Sequence, residues 1–342
     1  MRLGKNPLKD RNIKIKPPNR ITVGMLSYIP ETVGYHKDSL SILKLCLNSI
    51  RKTADQEFDL MVVDNNSCRE VRDYLEELRD TGDIDILILN ARNIGYINGL
   101  LQVLHSAPGE FVFHTDSDIY FKPGWMKAHL DIMENYPNVG LVGGIPIRNL
   151  SQYRTVSTLA WANEHAEDVS FEQGDLIPRK WLLEYYHSLG VFSEQWLNEF
   201  MSYPDYRLKF NDVGAFIGAS HMQFLTRKSA INELPLGLDI EIAMASPESV
   251  LDQVLDEKGY LRLSTTSPYV YHLGNLLSED WAIAEYQELV GDSGHQFQNP
   301  ANVPPKQQFN KKKHWFWGRT RVRKILQRLY EWAYDMFWKY AG

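Results

Sequence analysis

The chain has 342 residues, of which 44% are hydrophobic and 12% aromatic, so it is long enough to bury a substantial core. Its formal net charge of −6 is unevenly distributed: residues 1–20 carry seven Lys/Arg against one Asp, residues 306–342 carry ten against two acidic residues, and the residues between carry −20. An acidic central region argues against a nucleic acid partner bound across the main domain.

The cysteine content and the hydropathy favour an intracellular protein. Cys46 and Cys68 offer neither a disulfide framework nor metal-ligand spacing, which is typical of a reducing compartment. No apolar run is long enough to cross a bilayer, and the N-terminus lacks the apolar segment of a signal peptide. These features predict a cytoplasmic location.

The first half of the chain alternates strand and helix patterns. Strands are expected over residues 21–27, 58–64, 84–89 and 110–115, and helices over residues 39–51, 69–79 and 95–104. The strand segments are short and almost continuously apolar, which is typical of parallel strands covered on both faces. A βαβ series of this kind predicts an α/β fold with a mostly parallel, doubly wound sheet.

The pattern changes in the second half. A helix over residues 123–136 and a strand over 139–145 are followed by a segment, 146–213, that is rich in aromatic residues and has no clear repeat. Its aromatic side chains either form the small core of a helical insertion or stack on the sugar rings of an acceptor; they are Trp161, Trp181, Tyr185, Tyr186 and Trp196. Regular pattern resumes over 214–226, and a helix near 247–258 and a strand pair near 260–272 are expected.

Asp116-Ser117-Asp118 follows the fourth predicted strand directly. In an extended backbone, residues two apart project to the same side, so both carboxylates can reach one divalent cation. Carboxylate oxygens suit Mg²⁺ or Mn²⁺, which commonly also bind the oxygens of a phosphorylated substrate. Because open α/β sheets bind ligands at the carboxyl ends of their strands, the triplet predicts a metal and diphosphate site.

Other motifs lie in a fixed order around this triplet. They are Ile21-Thr22-Val23-Gly24-Met25-Leu26-Ser27-Tyr28, Val63-Asp64-Asn65-Asn66-Ser67, Asn93-Ile94-Gly95 with Asn98-Gly99, Gly218-Ala219-Ser220, Glu248 ahead of Gly259-Tyr260, and Tyr271-His272-Leu273-Gly274. From residue 21 to about 275, apart from much of the insertion, the chain resembles the inverting glycosyltransferases of family 2. The resemblance implies the GT-A (nucleotide-diphospho-sugar transferase) fold and a nucleotide-diphosphate sugar donor, for which we expect a UDP-sugar.

The resemblance assigns the donor site to the ends of the strands. It implies that Asp64 contacts the base, with Ser27 and Tyr28 near the nucleoside and the loop at Asn93 and Gly95 beside the nucleotide sugar. A carboxylate only accepts hydrogen bonds, which suits the imino N–H of uracil, thymine or guanine. Taken alone, Asp64 could instead cap a helix or form an Asx turn, and Asn93 is a plausible helix cap.

The resemblance also assigns the metal and the base. It implies that Asp116 contacts the ribose or a shared metal, that Asp118 binds the metal, and that His272 completes the metal shell, although a histidine there could equally be structural. Imidazole favours Mn²⁺ over Mg²⁺. Glu248 is the candidate base that removes the acceptor proton, and Asp252, one helical turn on, is the alternative. Pro247 and Val250 depart from the acidic residues usual in the family, and Glu248 could simply favour a helix start.

The last segment of the chain predicts a membrane contact. Residues 314–342 read as a basic amphipathic helix after a linker over 296–313, and such a helix suits an anionic membrane surface or packing on protein. The expected organisation is a basic extension (1–20), a catalytic domain (21–295, with a nucleotide-binding half 21–145, an insertion 146–213 and an acceptor half 214–295), the linker and the helix. We expect a peripheral enzyme of surface polysaccharide synthesis acting on a glycan or lipid-linked acceptor.

Two rival functions remain open. A sugar-nucleotide nucleotidyltransferase shares a related sheet but is expected to carry a Gly-rich loop after the first strand, and residues 23–30 contain none. An inactive module that binds a glycan or a nucleotide is the other alternative.

Overall fold

The four strands predicted in the first half form one parallel section of a central sheet. The computed structural model describes Gly4 and residues 16–238 and 247–290. The strands lie in the order β3-β2-β1-β4 and are all parallel; they are β1 (Ile21–Ser27), β2 (Asp59–Asp64), β3 (Ile86–Leu89) and β4 (Phe111–Asp116). They are connected by α1 (Ser39–Thr53), α2 (Arg69–Asp80) and α3 (Tyr96–Ser106). Every residue of β1 and β2 is buried, which explains their continuous apolar sequences.

The same sheet continues beyond β4 with mixed strand directions. After the short strand β5 (Ile119–Phe121) come α4 (Trp125–Asn135) and β6 (Val139–Gly143), and later β9 (Val213–Ile217), β10 (Gln223–Arg227) and β11 (Leu261–Ser264). β10 inserts antiparallel between β4 and β6, whereas β11 is parallel to β6. Most strands therefore run in one direction, which confirms the predicted α/β class.

The insertion contains strands as well as helices. Its helices are α5 (Val156–Glu164), α6 (Arg179–Ser188) and α7 (Glu194–Met201), and its strands β7 (Ser170–Gly174) and β8 (Asp205–Phe210) extend the central sheet beyond β9. The description of this segment as helical was thus incomplete. A buried ion pair anchors it, since Arg148 Nε lies 2.9 Å from Asp205 Oδ1 and Asp205 also accepts hydrogen bonds from the backbone N–H groups of residues 176 and 177.

The strand pair expected near residues 260–272 proved to be two strands in different sheets. β11 joins the central sheet, while β12 (Val270–His272) pairs antiparallel with β5 in a separate two-stranded sheet. The remaining helices are α8 (Lys228–Ile231), α9 (Pro247–Glu257) and α10 (Asp280–Val290). None of the helices among the described residues is long and apolar enough to span a membrane. The predicted linker (296–313), the predicted C-terminal helix (314–342) and most of the predicted basic extension (1–20) lie outside the described residues.

Candidate active site

The carboxyl ends of three adjacent parallel strands bring the predicted donor-site residues to one edge of the sheet. Ser27 lies opposite Asp64 in the β1–β2 register, and Leu26 lies opposite Asp116 in the β1–β4 register. The backbone N–H of Asp116 donates to the carbonyl oxygen of Met222 at 2.8 Å, which holds the start of the triplet against the segment preceding β10. The sheet therefore brings Ser27, Asp64 and Asp116 to the same edge, as the motif order predicts.

The acidic triplet forms the end of β4 and the turn into β5. Asp116 is partly exposed, and its Oδ1 lies 3.4 Å from Nε2 of the buried His114. Ser117 and Asp118 occupy the turn, and the carbonyl oxygen of Asp118 accepts a hydrogen bond from the backbone N–H of Leu273 at 2.9 Å. The Oδ1 atom of Asp118 is buried and has no hydrogen-bond partner. A buried carboxylate oxygen without a hydrogen-bond partner destabilises the folded protein unless a ligand binds to it.

The two-stranded sheet brings His272 to Asp118. His272 pairs with Ile119 in the β12–β5 register, and its Nε2 lies 3.2 Å from Asp118 Oδ2. Its Nδ1 lies 2.9 Å from Ser188 Oγ in the insertion. Burial disfavours the charged imidazole, but the hydrogen bond and charge of Asp118, with the charge of Asp116, outweigh it and raise the pKa of His272 above its ordinary 6.5.

These groups fit a divalent cation that is also bound by its substrate. Among the residues that the structure describes, no three His, Cys, Asp or Glu side chains are gathered closely enough to enclose a metal ion. Asp118 and His272 form a pair, however, and one of the carboxylate oxygens lacks any partner. Mg²⁺ and Mn²⁺ are commonly held by one or two protein carboxylates together with substrate phosphate oxygens, and imidazole is acceptable to Mn²⁺. The donor set thus suits a site completed by a diphosphate.

Asp64 is buried in a turn at the end of β2. Its carboxylate accepts the backbone N–H of Ser67 at 3.1–3.2 Å and the Nε–H of Arg72 at 3.0 Å. The turn role considered from the sequence is therefore present. A carboxylate offers about four acceptor positions, so these bonds leave capacity for one further donor. The contact with a base remains a prediction.

A network of amide side chains holds the loop before α3. Asn93 Oδ1 accepts hydrogen bonds from the side chain of Asn65 at 3.0 Å and from the backbone N–H of Gly95 at 2.7 Å. The N-cap position of α3 is Gly95, and no side chain caps it, so the expectation that Asn93 is a helix cap was wrong. Asn93 instead bonds within the loop because Gly95, at φ +85°, turns the chain before the helix begins.

Ser27 and Tyr28 differ in their surroundings at the end of β1. The hydroxyl oxygen of Ser27 is buried and has no hydrogen-bond partner, whereas Tyr28 is 45% exposed. The next residue, Ile29, is fixed by a hydrogen bond from its backbone N–H to Ser67 Oγ at 2.9 Å. A buried hydroxyl without a partner beside the strand ends marks a position where a ligand could form the missing bond.

Asp252, the alternative base, lies in a buried cluster of charged groups. Its Oδ1 is 2.8 Å from His221 Nε2, and its Oδ2 is 2.9 Å from a guanidinium nitrogen of Arg262, which is 1% exposed. Sequence reasoning missed both partners, which lie on other segments of the chain. Arg262 did carry a signal, because a charged residue between Leu261 and Leu263 in a buried strand requires a buried acceptor. Glu248 lies on the same helix, α9, but its side chain is outside the described residues.

A match to a protein-family model establishes the family of this chain. The Glycosyl transferase family 2 model matches residues 35–229, which is more than half of the chain. The chain belongs to glycosyl transferase family 2. This membership confirms the family and the enzyme class predicted from the sequence, and with the observed sheet it confirms the predicted GT-A fold.

Solved structures of glycosyltransferases resemble parts of this family 2 chain. A complex of S. aureus TarS 1-349 with UDP-GlcNAc matches at 24% identity over 36% of this chain and 34% of that one, with a TM-score of 0.30. A complex of the same fragment with UDP matches at 16% identity over 79% and 64%, with a TM-score of 0.41. The mannosyltransferase PcManGT from Pyrobaculum calidifontis, in complex with GDP-Man and Mn²⁺, matches at 15% identity over 74% and 55%, with a TM-score of 0.43. The chain thus spans less than two thirds of each, and no curated protein sequence matches it.

In this family 2 protein, the aromatic side chains of the insertion fall into two groups. Trp161 packs against Phe210, with ring centroids 5.4 Å apart, and the buried Tyr186 stacks on Phe200 at 5.0 Å. These rings form the local core that one of the two interpretations predicted. Trp181 and Tyr185 instead line a narrow cleft beside His272. This second group lies next to the candidate metal site, whereas Trp196 is 48% exposed and contacts Phe200 edge-on, with ring centroids 6.1 Å apart.

Proposed function

We propose that the protein is a metal-dependent, inverting glycosyltransferase that moves a sugar from a nucleotide-diphosphate donor, a UDP-sugar by preference, to a hydroxyl group of a glycan or glycolipid. The observation that carries this proposal is the carboxylate of Asp118, which has one unpartnered buried oxygen and faces His272 at the edge of the sheet. Membership in family 2 supports the same reaction class.

The ends of β1 and β2 supply the nucleoside side of the site. Asp64 accepts the imino N–H of the base, and its bonds to Ser67 and Arg72 fix the carboxylate for that contact. The unpartnered hydroxyl of Ser27 and the exposed ring of Tyr28 contact the nucleoside. Uracil presents the required imino donor, as guanine does, and adenine and cytosine present an acceptor instead.

Asp118 and His272 would hold the cation of the donor site, and Asp116 would contribute to the metal or to the ribose. When bound, Mn²⁺ or Mg²⁺ offsets the negative charge that develops on the leaving diphosphate, an effect of several kcal/mol in comparable sites. Asp118 and Asp116 also repel an unaccompanied diphosphate, because each carries a negative charge. Donor binding is therefore expected to depend on the metal.

Glu248 acts on the acceptor side. As the acceptor oxygen forms its bond to the anomeric carbon, the bond from that carbon to the diphosphate oxygen breaks, and the acceptor proton moves to the carboxylate of Glu248. Attack from the face opposite the diphosphate inverts the anomeric configuration. Trp181 and Tyr185 are suited to contact the acceptor sugar, since they line the cleft next to His272. The basic residues of the C-terminal segment would hold the enzyme at an anionic membrane where lipid-linked acceptors lie.

The proposal is tested with the full chain, a panel of nucleotide sugars and Mn²⁺, by following release of the nucleoside diphosphate. We expect slow metal-dependent release from one donor without acceptor, and loss of that release in Asp118→Asn. Release of pyrophosphate from a nucleoside triphosphate and a sugar phosphate would instead support the nucleotidyltransferase. Tight donor binding with no turnover under any condition would support the inactive binding module and overturn the proposal.

A further inference from the structure

Ser188, the last residue of α6, joins the insertion to the candidate metal site. Its Oγ lies 2.9 Å from His272 Nδ1 and 2.6 Å from the backbone carbonyl oxygen of Tyr185. The serine and the histidine are 84 positions apart in the chain, so the contact depends on how the insertion packs against β12. Nothing in the sequence pattern of α6 distinguishes this serine from other polar residues of the helix.

The two contacts of Ser188 fix the direction of each hydrogen bond. A serine hydroxyl has a single hydrogen, and a backbone carbonyl can only accept, so the hydrogen of Ser188 is committed to Tyr185. Ser188 Oγ must then accept from His272, which requires a hydrogen on Nδ1. If the ring keeps this Nδ1–H when it is neutral, its lone pair is on Nε2, the atom that lies 3.2 Å from Asp118 Oδ2. The hydrogen bond from Nε2 to Asp118 then belongs to the charged ring, and a cation takes the place of that proton.

The opposite tautomer of His272, with the hydrogen on Nε2, would prevent the imidazole from binding a cation. An N–H on Nε2 of His272 would donate to Asp118 Oδ2, so that the imidazole could not bind a cation and the carboxylate would be partly occupied. A carboxylate is a stronger acceptor than a hydroxyl, so loss of the Ser188 acceptor would shift the neutral ring further toward that tautomer. Ser188 is thus the group that opposes the internal pairing of His272 with Asp118.

The backbone after His272 is shaped to fit the end of α6. Gly274 has a φ of +71°, a left-handed conformation that favours glycine. A Cβ atom at this position would lie 3.1 Å from the carbonyl oxygen of Ser188, closer than ordinary contacts allow. The glycine therefore permits the close approach that places Ser188 against the imidazole. This packing is a property of the backbone and does not depend on a bound ligand.

We propose that Ser188 is a positioning residue that holds His272 in the Nδ1–H tautomer and thereby leaves Nε2 to bind, with Asp118, the divalent cation of the donor site. The inference rests on the proposed function, because it assigns a role toward the metal of that same site. On this inference the insertion would have two roles, contact with the acceptor and orientation of a metal ligand. The second depends on the packing of α6 against β12, which brings Ser188 to His272.

The test compares Ser188→Ala with two controls in the full chain. Ser188→Thr keeps the hydroxyl, and Ser202→Ala removes a serine of the same insertion that also donates to a carbonyl three residues earlier, at 2.7 Å, but is exposed at the end of α7. Binding of Mn²⁺, alone and with uridine diphosphate, is measured by the paramagnetic resonance signal of the free ion against protein-free samples of the same composition. The tautomer of His272 is read from its ¹⁵N chemical shifts at a pH where the ring is neutral.

We expect Ser188→Ala to weaken Mn²⁺ binding about 10–100-fold, the usual loss when the partner of a metal-binding histidine is removed. The ¹⁵N shifts of His272 should move toward the Nε2–H form in this variant alone, and Ser188→Thr and Ser202→Ala should match the wild type. Unchanged Mn²⁺ affinity and an unchanged tautomer in Ser188→Ala would overturn the inference while leaving the proposed function intact. If the wild type binds Mn²⁺ neither alone nor with uridine diphosphate, the metal role of His272 and the proposed metal dependence both fail, whichever tautomer is found.

Discussion

Replacing Asp252 by Asn distinguishes a structural role for this carboxylate from a catalytic one. Asp252 is 5% exposed and lies between His221 and Arg262, and the guanidinium of Arg262 is itself almost completely buried. An asparagine has nearly the same shape, but it carries no charge to balance that guanidinium. Arg262 would keep its hydrogen bonds to the carbonyl oxygens of Tyr153 at 2.7 Å and Ala219 at 3.0 Å.

The size of the effect follows from these contacts. Removing one partner of a buried ion pair destabilises a protein by about 3–5 kcal/mol, and we expect the lower end because Arg262 retains its carbonyl partners. For a folded unit of this size, about 3 kcal/mol corresponds to a fall in Tm of about 5 °C. Burial lowers the pKa of Arg262, and the negative charges of Asp252 and Asp256 raise it. Replacing Asp252 by Asn removes one of these two charges and so makes the charged guanidinium less favourable.

The assay is thermal unfolding of the full chain, with Glu257→Gln as the control. Glu257 is an exposed acid on the same helix, and its removal should leave Tm unchanged to within about 1 °C. If Asp252→Asn unfolds at the wild-type temperature yet loses all transferase activity, the carboxylate is the base, and our assignment of its charge to Arg262 and His221 is refuted.

Three further predictions concern other parts of the molecule. Glu248→Gln should lower the rate of sugar transfer about 100-fold or more, as loss of a general base does, while leaving the Kd of the donor unchanged. Activity near the wild-type level would show that another residue is the general base. Burial lowers the pKa of His129 from 6.5 to about 4, although its hydrogen bonds to Trp125 and Gln223 act in the opposite direction. As the pH falls, His129 is therefore protonated in the unfolded chain at a higher pH than in the folded protein. His129 should therefore lower the free energy of unfolding by about 2 kcal/mol between pH 7 and pH 5, and this contribution should be missing from His129→Asn when the two proteins are compared by urea unfolding; an identical pH dependence in both proteins would contradict it. In liposome flotation with anionic vesicles, the full chain should float and a chain ending near Pro305 should not, and equal behaviour of the two would exclude a membrane contact through the C-terminal segment.

The parallel section of the sheet was predictable because its signals are local. Continuous apolar runs mark β1 and β2, and the helical patterns between the strands require crossover connections, so parallel pairing in a doubly wound sheet followed from general rules. The acidic triplet was also predictable, because its position at the end of β4 needs no knowledge of distant contacts.

The remaining features depend on contacts between distant segments. β5 has only three residues, too few for any periodicity, and its strand depends on pairing with β12. A strand was expected near β12, but the sequence did not show that its partner would be β5. The helical pattern around Asp252 indicated a face shared with Glu248 but could not show that His221 and Arg262 already bind its carboxylate. Ser188 illustrates the same limit, since its contact with His272 depends on the packing of the whole insertion.

The central claim is that Asp118, with His272, holds a cation that allows the diphosphate to bind. Calorimetric titration of uridine diphosphate into the full chain, with Mn²⁺ or with a chelator, tests it directly. The account predicts that Mn²⁺ strengthens binding at least about tenfold in the wild type and that Asp118→Asn, with its fold verified, loses this gain. An equal Mn²⁺-dependent gain in Asp118→Asn, or equal affinity of the wild type with and without the metal, would contradict it.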